Sequence, residues 1–407
     1  MSPDLVDFAS GAPSILPNDL VLEATSDALT ATRPNQRNAL QYGTPGGDPT
    51  VVRTLATFLS SQYDSLVRPE HLVLTAGCSQ GLDLVLGSVV SLRRHKSGPL
   101  LAYVEDPTYF KAIKTIEDRD FRVVGVRTDA EGILPSDLER QLRASTVEAR
   151  ARILYVVPTF NNPRGGTLSL ERRKELLRIC SRYGLDAVVE DDPYYLLGTD
   201  RGSLPPRLVE LTDLASSETS VISLGSFSKL VAPGLRCGWM ETRSAIFAEA
   251  ARSNGVLSSG GCISHFSSRV ASAILERNAG REMFAHLERV RREYARRATL
   301  MYELLKREGV AVNRPRGGFF LWVALPSELS ASALLDRCSA RTGTRVKFRT
   351  GDLFSVSGSF RNCFRLSYAK MDEVQIREGV RVLCSTISEM MALQSRRSTS
   401  VVGAARL

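Results

Sequence analysis

The sequence lacks the features of exported, membrane-embedded and disulfide-stabilised proteins. No apolar run is long enough to span a bilayer, and the opening MSPDLVDFAS has neither the basic start nor the apolar core of a secretory signal. The seven cysteines form no CxxC pair and show no metal-ligand spacing. We therefore expect reduced thiols, no membrane partner and a cytoplasmic location.

Features of nucleic-acid and nucleotide binding are also missing. The net charge of +9 is spread along the 407 residues, without a basic stripe that carries interleaved aromatics, and there is no phosphate loop of the Walker type. We expect no nucleic-acid partner. The positive charge favours anionic small molecules, although a generally solvated surface explains it equally well.

What the sequence does contain is an alternation of short apolar runs and helical patterns. The segment 170–183, for example, carries an apolar stripe at helical spacing. Such alternation predicts an α/β fold whose mainly parallel sheet is covered by helices on both faces. The runs that read as strands are 71–76, 100–104, 153–157, 187–189 and 221–224.

A second, smaller α+β domain is predicted after the alternating region. The segment from about 266 to 307 is long, charged, helical in period and free of proline, so it can carry the chain out of the large domain. Beyond it, 317–323 and 363–368 read as strands. The predicted organisation is an N-terminal segment 1–44 that joins the small domain, a large domain 45–309, a small C-terminal domain 310–394 and a flexible tail 395–407.

The most informative segment is Gly225-Ser226-Phe227-Ser228-Lys229, followed by Pro233-Gly234-Leu235-Arg236. It ends an apolar run, so it places Lys229 at the exit of a buried strand, beside hydroxyls and a guanidinium. A lysine held there can form a Schiff base with an aldehyde cofactor that also carries a phosphate. The alternative is a surface turn with incidental basic residues.

A phosphate-bearing cofactor also needs backbone N–H groups at the start of a helix. Gly77, Cys78 and Ser79 lie between a predicted strand and the apolar-periodic helix 82–90, and they form a suitable anion site. Ser226, Ser228 and Arg236 would add hydroxyls and a bidentate cation. Many ordinary strand-to-helix turns resemble the first segment, so alone it is a weak signal.

A cofactor ring that withdraws electrons through a pyridine nitrogen needs a carboxylate beside that nitrogen. Glu190, Asp191 and Asp192 end a predicted buried strand, where three adjacent carboxylates are costly unless a cation or metal lies opposite. A magnesium site is the rival interpretation. It is disfavoured because no nucleotide-binding loop accompanies the acids, and we expect no metal.

Three further polar residues suit contacts with the cofactor ring. Tyr194 and Asn162 can hydrogen-bond its phenolic oxygen, and Tyr109, at the start of a helix, can stack on its face. The alternatives are a plain Asn-Pro turn at 162–163 and a tyrosine that simply packs in the core.

Taken together, these segments resemble the class I/II aminotransferases, the fold-type I family that depends on pyridoxal phosphate. The motifs SFSK, PGLR, EDDPYY and NNP occur in the family's order, and the resemblance covers essentially the whole chain. Within the family, the chain is most similar to the branch of 2-aminoadipate, kynurenine and aromatic aminotransferases. Transamination between an L-amino acid and a 2-oxo acid is the implied reaction.

The resemblance also assigns roles to individual residues. Lys229 matches the Schiff-base lysine and proton carrier, and Asp191 matches the partner of the pyridinium. Arg365, in Asn362-Cys363-Phe364-Arg365-Leu366, matches the arginine that binds the substrate α-carboxylate. Tyr42 matches a tyrosine that reaches the phosphate of a neighbouring subunit, which implies a homodimer. The remaining matches are the ring contacts Tyr109, Asn162 and Tyr194 and the phosphate contacts Gly77, Cys78, Ser79, Ser226, Ser228 and Arg236.

The chain departs from the family pattern at two places near the site. Cys78 stands where relatives often have serine, which is tolerable if the backbone N–H makes the contact. The segment 11–19 has no arginine, although some relatives with acidic substrates place one nearby. This segment therefore gives no support for a preference for dicarboxylic substrates.

Two other functions and one targeting signal have to be considered besides transamination. A C–S β-lyase acting on a sulfur amino acid could use every residue above. Some transcription factors carry this domain behind a winged-helix reader, but the family match here starts near residue 8 and leaves no room for one. The terminal Ala405-Arg406-Leu407 is a relaxed version of the peroxisomal SKL signal and leaves import possible.

Overall fold

The computed structural model describes residues 5–30, 38–215, 218–260 and 264–404, apart from the side chains of residue 201 and residues 396–404. Strands in this part of the chain are β1 Leu5–Asp7, β2 Leu72–Thr75, β3 Leu100–Asp106, β4 Phe121–Asp129, β5 Gly132–Ile133, β6 Ala151–Val156, β7 Ala187–Asp191, β8 Ser220–Ser226, β9 Gly238–Thr242, β10 Phe320–Ala324, β11 Arg345–Lys347, β12 Arg349–Thr350 and β13 Cys363–Ser367. None of its helices is both long and apolar enough to cross a membrane.

The helices lie between these strands in sequence. They are α1 Asn18–Thr30, α2 Pro49–Tyr63, α3 Cys78–Leu92, α4 Phe110–Glu117, α5 Pro135–Ala144, α6 Leu170–Arg182, α7 Ala245–Arg252, α8 Gly255–Ser258, α9 His265–Glu276, α10 Arg281–Arg307, α11 Ala331–Ala340 and α12 Glu373–Ala404.

An eight-stranded mixed sheet forms the centre of the molecule, in the order β2-β9-β8-β7-β6-β3-β4-β5. The five strands from β8 to β4 are parallel, while β9 is antiparallel to both of its neighbours and β5 is antiparallel to β4. The α/β fold with a mainly parallel sheet is thus confirmed, and each predicted strand of this region is present.

Helices cover both faces of this sheet because its strands are apolar on both sides. In β6, Ile153 and Tyr155 pack into one buried cluster with helix α3, whereas Leu154 and Val156 pack into another with helix α6. A strand buried on both faces reads as a continuous apolar run, which is why these strands are recognisable in the sequence.

Two smaller sheets lie beyond the central one. Strands β10, β13 and β12 form an antiparallel sheet, and β1 pairs in parallel with β11. The N-terminal segment is therefore joined to the C-terminal part of the chain. Phe8 extends the pairing, since its N–H donates to the Lys347 carbonyl at 2.8 Å and its carbonyl accepts from Ser367 N–H at 2.9 Å.

The structure differs from the sequence prediction at two helices. The segment 266–307 is not one helix, because Asn278, Ala279 and Gly280 all have positive φ (47°, 54° and 83°) and separate α9 from α10. Gly adopts this conformation without strain and Asn tolerates it, so Asn-Ala-Gly acts as the break that proline would otherwise supply.

The C-terminal helix is also longer than expected. We predicted a flexible tail from residue 395, but α12 continues to Ala404. Residues 380–402 contain neither proline nor glycine, so nothing in the backbone chemistry ends the helix where the composition becomes polar.

Candidate active site

A cavity of about 380 Å³ opens at the carboxyl ends of β2, β3, β6, β7 and β8. These strands run in the same direction, so the segments that follow them meet at one edge of the sheet. The N-terminal segment and the three-stranded sheet close the opposite side. Twelve of the thirteen predicted site residues line the cavity: Gly77, Cys78, Ser79, Tyr109, Asn162, Asp191, Tyr194, Ser226, Ser228, Lys229, Arg236 and Arg365.

Lys229 follows β8 and points into the cavity. Its Nζ donates a hydrogen bond to the Gly11 carbonyl oxygen at 2.8 Å. Burial lowers the pKa of Lys229 to about 8, and the nearby cations Arg365 and Arg236 act in the same direction against Cys78 and Asp191. A substantial fraction of this amine is neutral, and therefore nucleophilic, near neutral pH.

Hydroxyl and guanidinium groups converge in front of Gly77, the residue that precedes helix α3. Gly77 has a φ of +96°, and a Cβ there would lie 3.2 Å from Ser226 Oγ, 3.5 Å from Arg236 Nη2 and 3.8 Å from Ser228 Oγ. The first N–H groups of a helix have no acceptor within it, and α3 begins at Cys78 without a side-chain cap. The space beside Gly77 is therefore a site for an anion such as phosphate.

Arg236 is held in place by backbone and side-chain acceptors. Its Nη2 donates to the Ala76 carbonyl at 2.7 Å and its Nη1 to Ser228 Oγ at 3.3 Å. Ser228 Oγ also accepts from Ser226 Oγ at 2.9 Å. These contacts orient the cation and both hydroxyls before an anion arrives, which reduces the entropic cost of binding one.

Asp191 ends strand β7 with one carboxylate oxygen bonded and one open. The Tyr155 hydroxyl donates to Oδ2 at 2.6 Å. Oδ1 is buried, and no group in the described part of the chain donates a hydrogen bond to it. Burial raises the pKa of Asp191, and the Tyr155 hydroxyl, the Cys78 thiol and Lys229 partly offset this effect. An N–H⁺ donor in the cavity would satisfy Oδ1.

The two acids beside Asp191 have different partners. Glu190 forms an ion pair with Arg173 at 3.5 Å, and Asp192 Oδ2 accepts from the Thr159 hydroxyl at 2.9 Å. Glu190 and Asp192 thus belong to one network, because Arg173 also donates to Thr159 Oγ1 at 2.9 Å, whereas Asp191 faces the cavity. Across the described ranges, no group of three or more His, Cys, Asp or Glu side chains is arranged to hold a metal ion.

Arg365 lies on β13 and is almost fully buried. Its Nη1 donates to Asn162 Oδ1 at 2.7 Å and its Nη2 to the Ala9 carbonyl at 2.7 Å. The guanidinium carbon lies 4.0 Å from the centre of the Phe320 ring. Burial lowers the pKa of Arg365 to about 10, so the guanidinium stays charged at neutral pH and favours an incoming carboxylate.

The predicted ring contacts surround the space between these groups. Asn162 uses its oxygen for Arg365, which leaves its amide N–H groups as donors. Tyr194 is buried against the rings of Phe319 and Phe320, at centroid distances of 5.4 and 5.8 Å. Tyr109 immediately precedes α4 and lines the cavity wall.

Tyr42 is the one predicted site residue that the fold does not bring to the cavity. It is 73% exposed and lies beside Gly260, where a Cβ would approach its ring to 3.3 Å. Within one chain it does not belong to the cavity lining.

Sequence reasoning missed Tyr155, Phe320 and Arg349, all of which contact or line the site. Tyr155 was detectable, because in β6 it shares the sheet face of Ile153 and lies one strand away from Asp191. Arg349 was not, since its strand β12 has only two residues and gives no periodic signal.

Comparisons with known proteins identify the class of this site. Residues 3–383 match the family model for aminotransferase class I and II. The chain is 35% identical to a 2-aminoadipate transaminase of Thermus thermophilus (96% of this chain, 92% of the relative) and 31% identical to aromatic-amino-acid aminotransferase 1 of Thermococcus litoralis (95% and 89%). It superposes with a TM-score of 0.80, at 30% identity, on kynurenine aminotransferase of Pyrococcus horikoshii solved with PMP (96% and 92%).

The fold and site are those of a fold-type I transferase. The chain belongs to the class I and II aminotransferases, and it is an aminotransferase that depends on pyridoxal 5′-phosphate, as the sequence resemblance implied. The residues fit this cofactor: the space beside Gly77 suits its phosphate, and the open Oδ1 of Asp191 suits its protonated ring nitrogen.

Proposed function

We propose that the enzyme transfers the amino group of an aromatic or 2-aminoadipate-like L-amino acid to a 2-oxo acid, with Lys229 as the residue that carries the reaction. The observation that supports this most is the position of Lys229, a largely buried amine between an anion site and Arg365, whose pKa is lowered to about 8. The donor classes are those in the names of the two relatives described above.

In this proposal the cofactor is held at both ends. Backbone N–H groups of Cys78 and Ser79, the hydroxyls of Ser226 and Ser228 and the Arg236 guanidinium bind its phosphate. At the other end Asp191 would accept from the ring nitrogen, Asn162 and Tyr194 would donate to the phenolic oxygen, and Tyr109 would cover the ring face. When bound, the cofactor supplies an electron sink for the substrate Cα.

Lys229 then acts as the proton carrier. Arg365 fixes the substrate α-carboxylate, which places the Cα–H within reach of Nζ. Nζ would accept that proton and hold it for return to the reacting groups. Asp191 would keep the ring nitrogen protonated, because a carboxylate beside it favours the charged form.

The exposed Tyr42 supports a further proposal, that two chains form a homodimer in which this tyrosine reaches the phosphate of the neighbouring site. We also propose a cytoplasmic location. We propose the division into an N-terminal segment 1–44, a large domain 45–309 and a small domain from 310, and the pairing of β1 with β11 supports the assignment of the N-terminal segment to the small domain. The tripeptide Ala405-Arg406-Leu407 lies outside the described residues, and peroxisomal import stays a prediction.

Replacing Lys229 with alanine tests the central assignment. We expect the variant to lose the absorbance of the covalently bound cofactor and all measurable transamination, while Lys96→Ala, an exposed lysine, keeps both. The measurement is a panel of half-reactions with aromatic, 2-aminoadipate, kynurenine and branched-chain donors. Ordinary activity of Lys229→Ala, or pyruvate and ammonia released from cystathionine without an oxo-acid acceptor, would contradict the proposal.

A further inference from the structure

Two cations at the cavity wall have no role in the proposed reaction. Arg349 on β12 and Lys111 on α4 both line the cavity. Arg349 pairs directly with Arg365 across the antiparallel strands β12 and β13. Residues paired in this way project from the same face of a sheet, so both guanidinium groups belong to the same side of the site.

The charges of the cavity are strongly unbalanced. Its lining contains five basic residues, Lys111, Lys229, Arg236, Arg349 and Arg365, against the single carboxylate of Asp191. In the proposed function Arg236 binds the cofactor phosphate, Lys229 bonds to its aldehyde carbon, and Arg365 binds the substrate α-carboxylate. Two positive charges are left over.

Neither of these two cations is neutralised by a residue that the structure describes. In the ranges that the structure describes, the side chains of Arg349 and Lys111 form no ion pair with a carboxylate. Like charges directly opposite each other in a sheet are destabilising, and Arg349 contributes to lowering the pKa of Arg365. An anion bound beside Arg349 would relieve this repulsion.

Aromatic rings connect the two cationic ends. The guanidinium carbon of Arg365 lies 5.0 Å from the centre of the Phe354 ring, and that of Arg349 lies 6.0 Å from the centre of the Phe110 ring. The two rings are in edge-to-face contact at 5.4 Å. A substrate with a carboxylate at each end and methylene groups between them matches this arrangement.

We propose that Arg349, assisted by Lys111, binds the distal carboxylate of dicarboxylic amino acids and 2-oxo acids while Arg365 binds the α-carboxylate. This inference rests on the proposed function and names a substrate class for the same site. The N-terminal segment 11–19 contains no arginine, so the three-stranded sheet and α4 supply the cations instead. The fork of Arg349 can bind a carboxylate through two parallel hydrogen bonds, whereas Lys111 contributes a point charge.

The test compares Arg349→Gln holoenzyme with the unaltered holoenzyme on matched ligands. Calorimetric binding of the unreactive dicarboxylate glutarate should weaken by roughly 10- to 100-fold, the range for losing a charge-assisted hydrogen bond. The kcat/KM for 2-aminoadipate should fall by a similar factor. Values for the monocarboxylic norleucine should stay within about twofold.

Conservative and control variants separate recognition from structure. Arg349→Lys should keep part of the glutarate affinity that Arg349→Gln loses, and Lys111→Gln should lose less than Arg349→Gln. Arg345 is a neighbouring arginine that does not line the cavity, so Arg345→Gln should leave the affinity for glutarate and the kcat/KM values unchanged. Equal losses for both substrates, or no loss for 2-aminoadipate, would overturn the assignment of Arg349. If the unaltered enzyme converts norleucine but does not bind glutarate, only this inference fails, whereas a failure with every amino acid contradicts the proposed function itself.

Discussion

The structure contains two groups of charged residues with little or no exposure to solvent, and they differ in whether the chain supplies their partners. One group, Arg173, Glu190, Arg207 and Glu241, is away from the cavity; the other, Lys229, Asp191 and Arg365, lines it. Burying a charge is costly without a partner, so the second group would be a defect in a protein that bound nothing. The difference separates charges that stabilise the fold from charges that await a ligand.

In the first group both positive charges have a negative neighbour within the chain, although Arg207 Nη2 has no hydrogen-bond partner among the described residues. Arg207 contacts Glu241 at 2.5 Å and Glu210 at 2.7 Å. Arg173 contacts Glu190 and also donates to Thr159 Oγ1 and to the carbonyls of Leu168, Pro158 and Pro206, at distances from 2.9 to 3.2 Å. Removing one member would leave several buried groups unsatisfied.

The second group is left incomplete at several atoms. Asp191 Oδ1 and Arg365 Nε are buried, and no described group bonds to either of them. Burial shifts the pKa of each charged group here toward the neutral form: up for Asp191, down for Lys229 and Arg365. A bound cofactor and substrate would complete these contacts, so substitutions here should damage activity more than stability.

The largest expected effect follows from Asp191→Asn. The amide cannot hold a proton on the ring nitrogen, so we expect kcat to fall by a factor on the order of 10²–10⁴, the range for a group that controls protonation. The urea midpoint of the apoenzyme should stay the same or rise at neutral pH, because a buried carboxyl with a raised pKa costs folding free energy once it ionises. Normal turnover, or a much less stable apoenzyme, would erase the distinction between the two groups.

Arg173→Met tests the first group, whose charges are paired within the chain, and here we expect a loss of stability. Because Glu190 would become a buried carboxylate without its cation, we expect the free energy of unfolding to fall by about 3–5 kcal/mol. Arg182→Met is the matched control: it lies at the end of the same helix α6 and pairs with Glu139 at 2.8 Å, but its side chain is exposed. That variant should lose less than about 1 kcal/mol. Urea unfolding of both apoenzymes measures the contrast, and equal losses would contradict it.

The paired group also shows what sequence reasoning could and could not find. The run Glu190-Asp191-Asp192 predicted that a cation or a metal must lie opposite, and Arg173 and Arg207 are such cations. Neither was identified, because they come from helix α6 and from the segment before β8, and their approach depends on how helices cover the sheet. Long-range side-chain contacts of this kind leave no local pattern.

The cavity group was easier to predict because its members follow strands. Lys229 and Asp191 were placed at the ends of recognisable apolar runs, and parallel strands bring such ends together. The break between α9 and α10 and the role of Tyr155 were missed for different reasons. The first depends on three consecutive left-handed residues, and the second on the alignment of β6 with β7.

The smallest expected effect is the pH dependence of the rate at which Lys229 bonds to the cofactor, which tests whether the cavity changes the pKa of this residue. Only the neutral amine of Lys229 can attack the cofactor aldehyde, so its covalent attachment to the apoenzyme should rise about tenfold per pH unit below pH 8 and level off above it. Trapping with borohydride at a series of pH values measures this rate. A midpoint near 10.4, the value of an exposed lysine, would mean that burial and the neighbouring cations do not tune this amine. The pKa of Lys229 would then be that of a surface lysine, and the contrast between the two groups of charges would not include this residue.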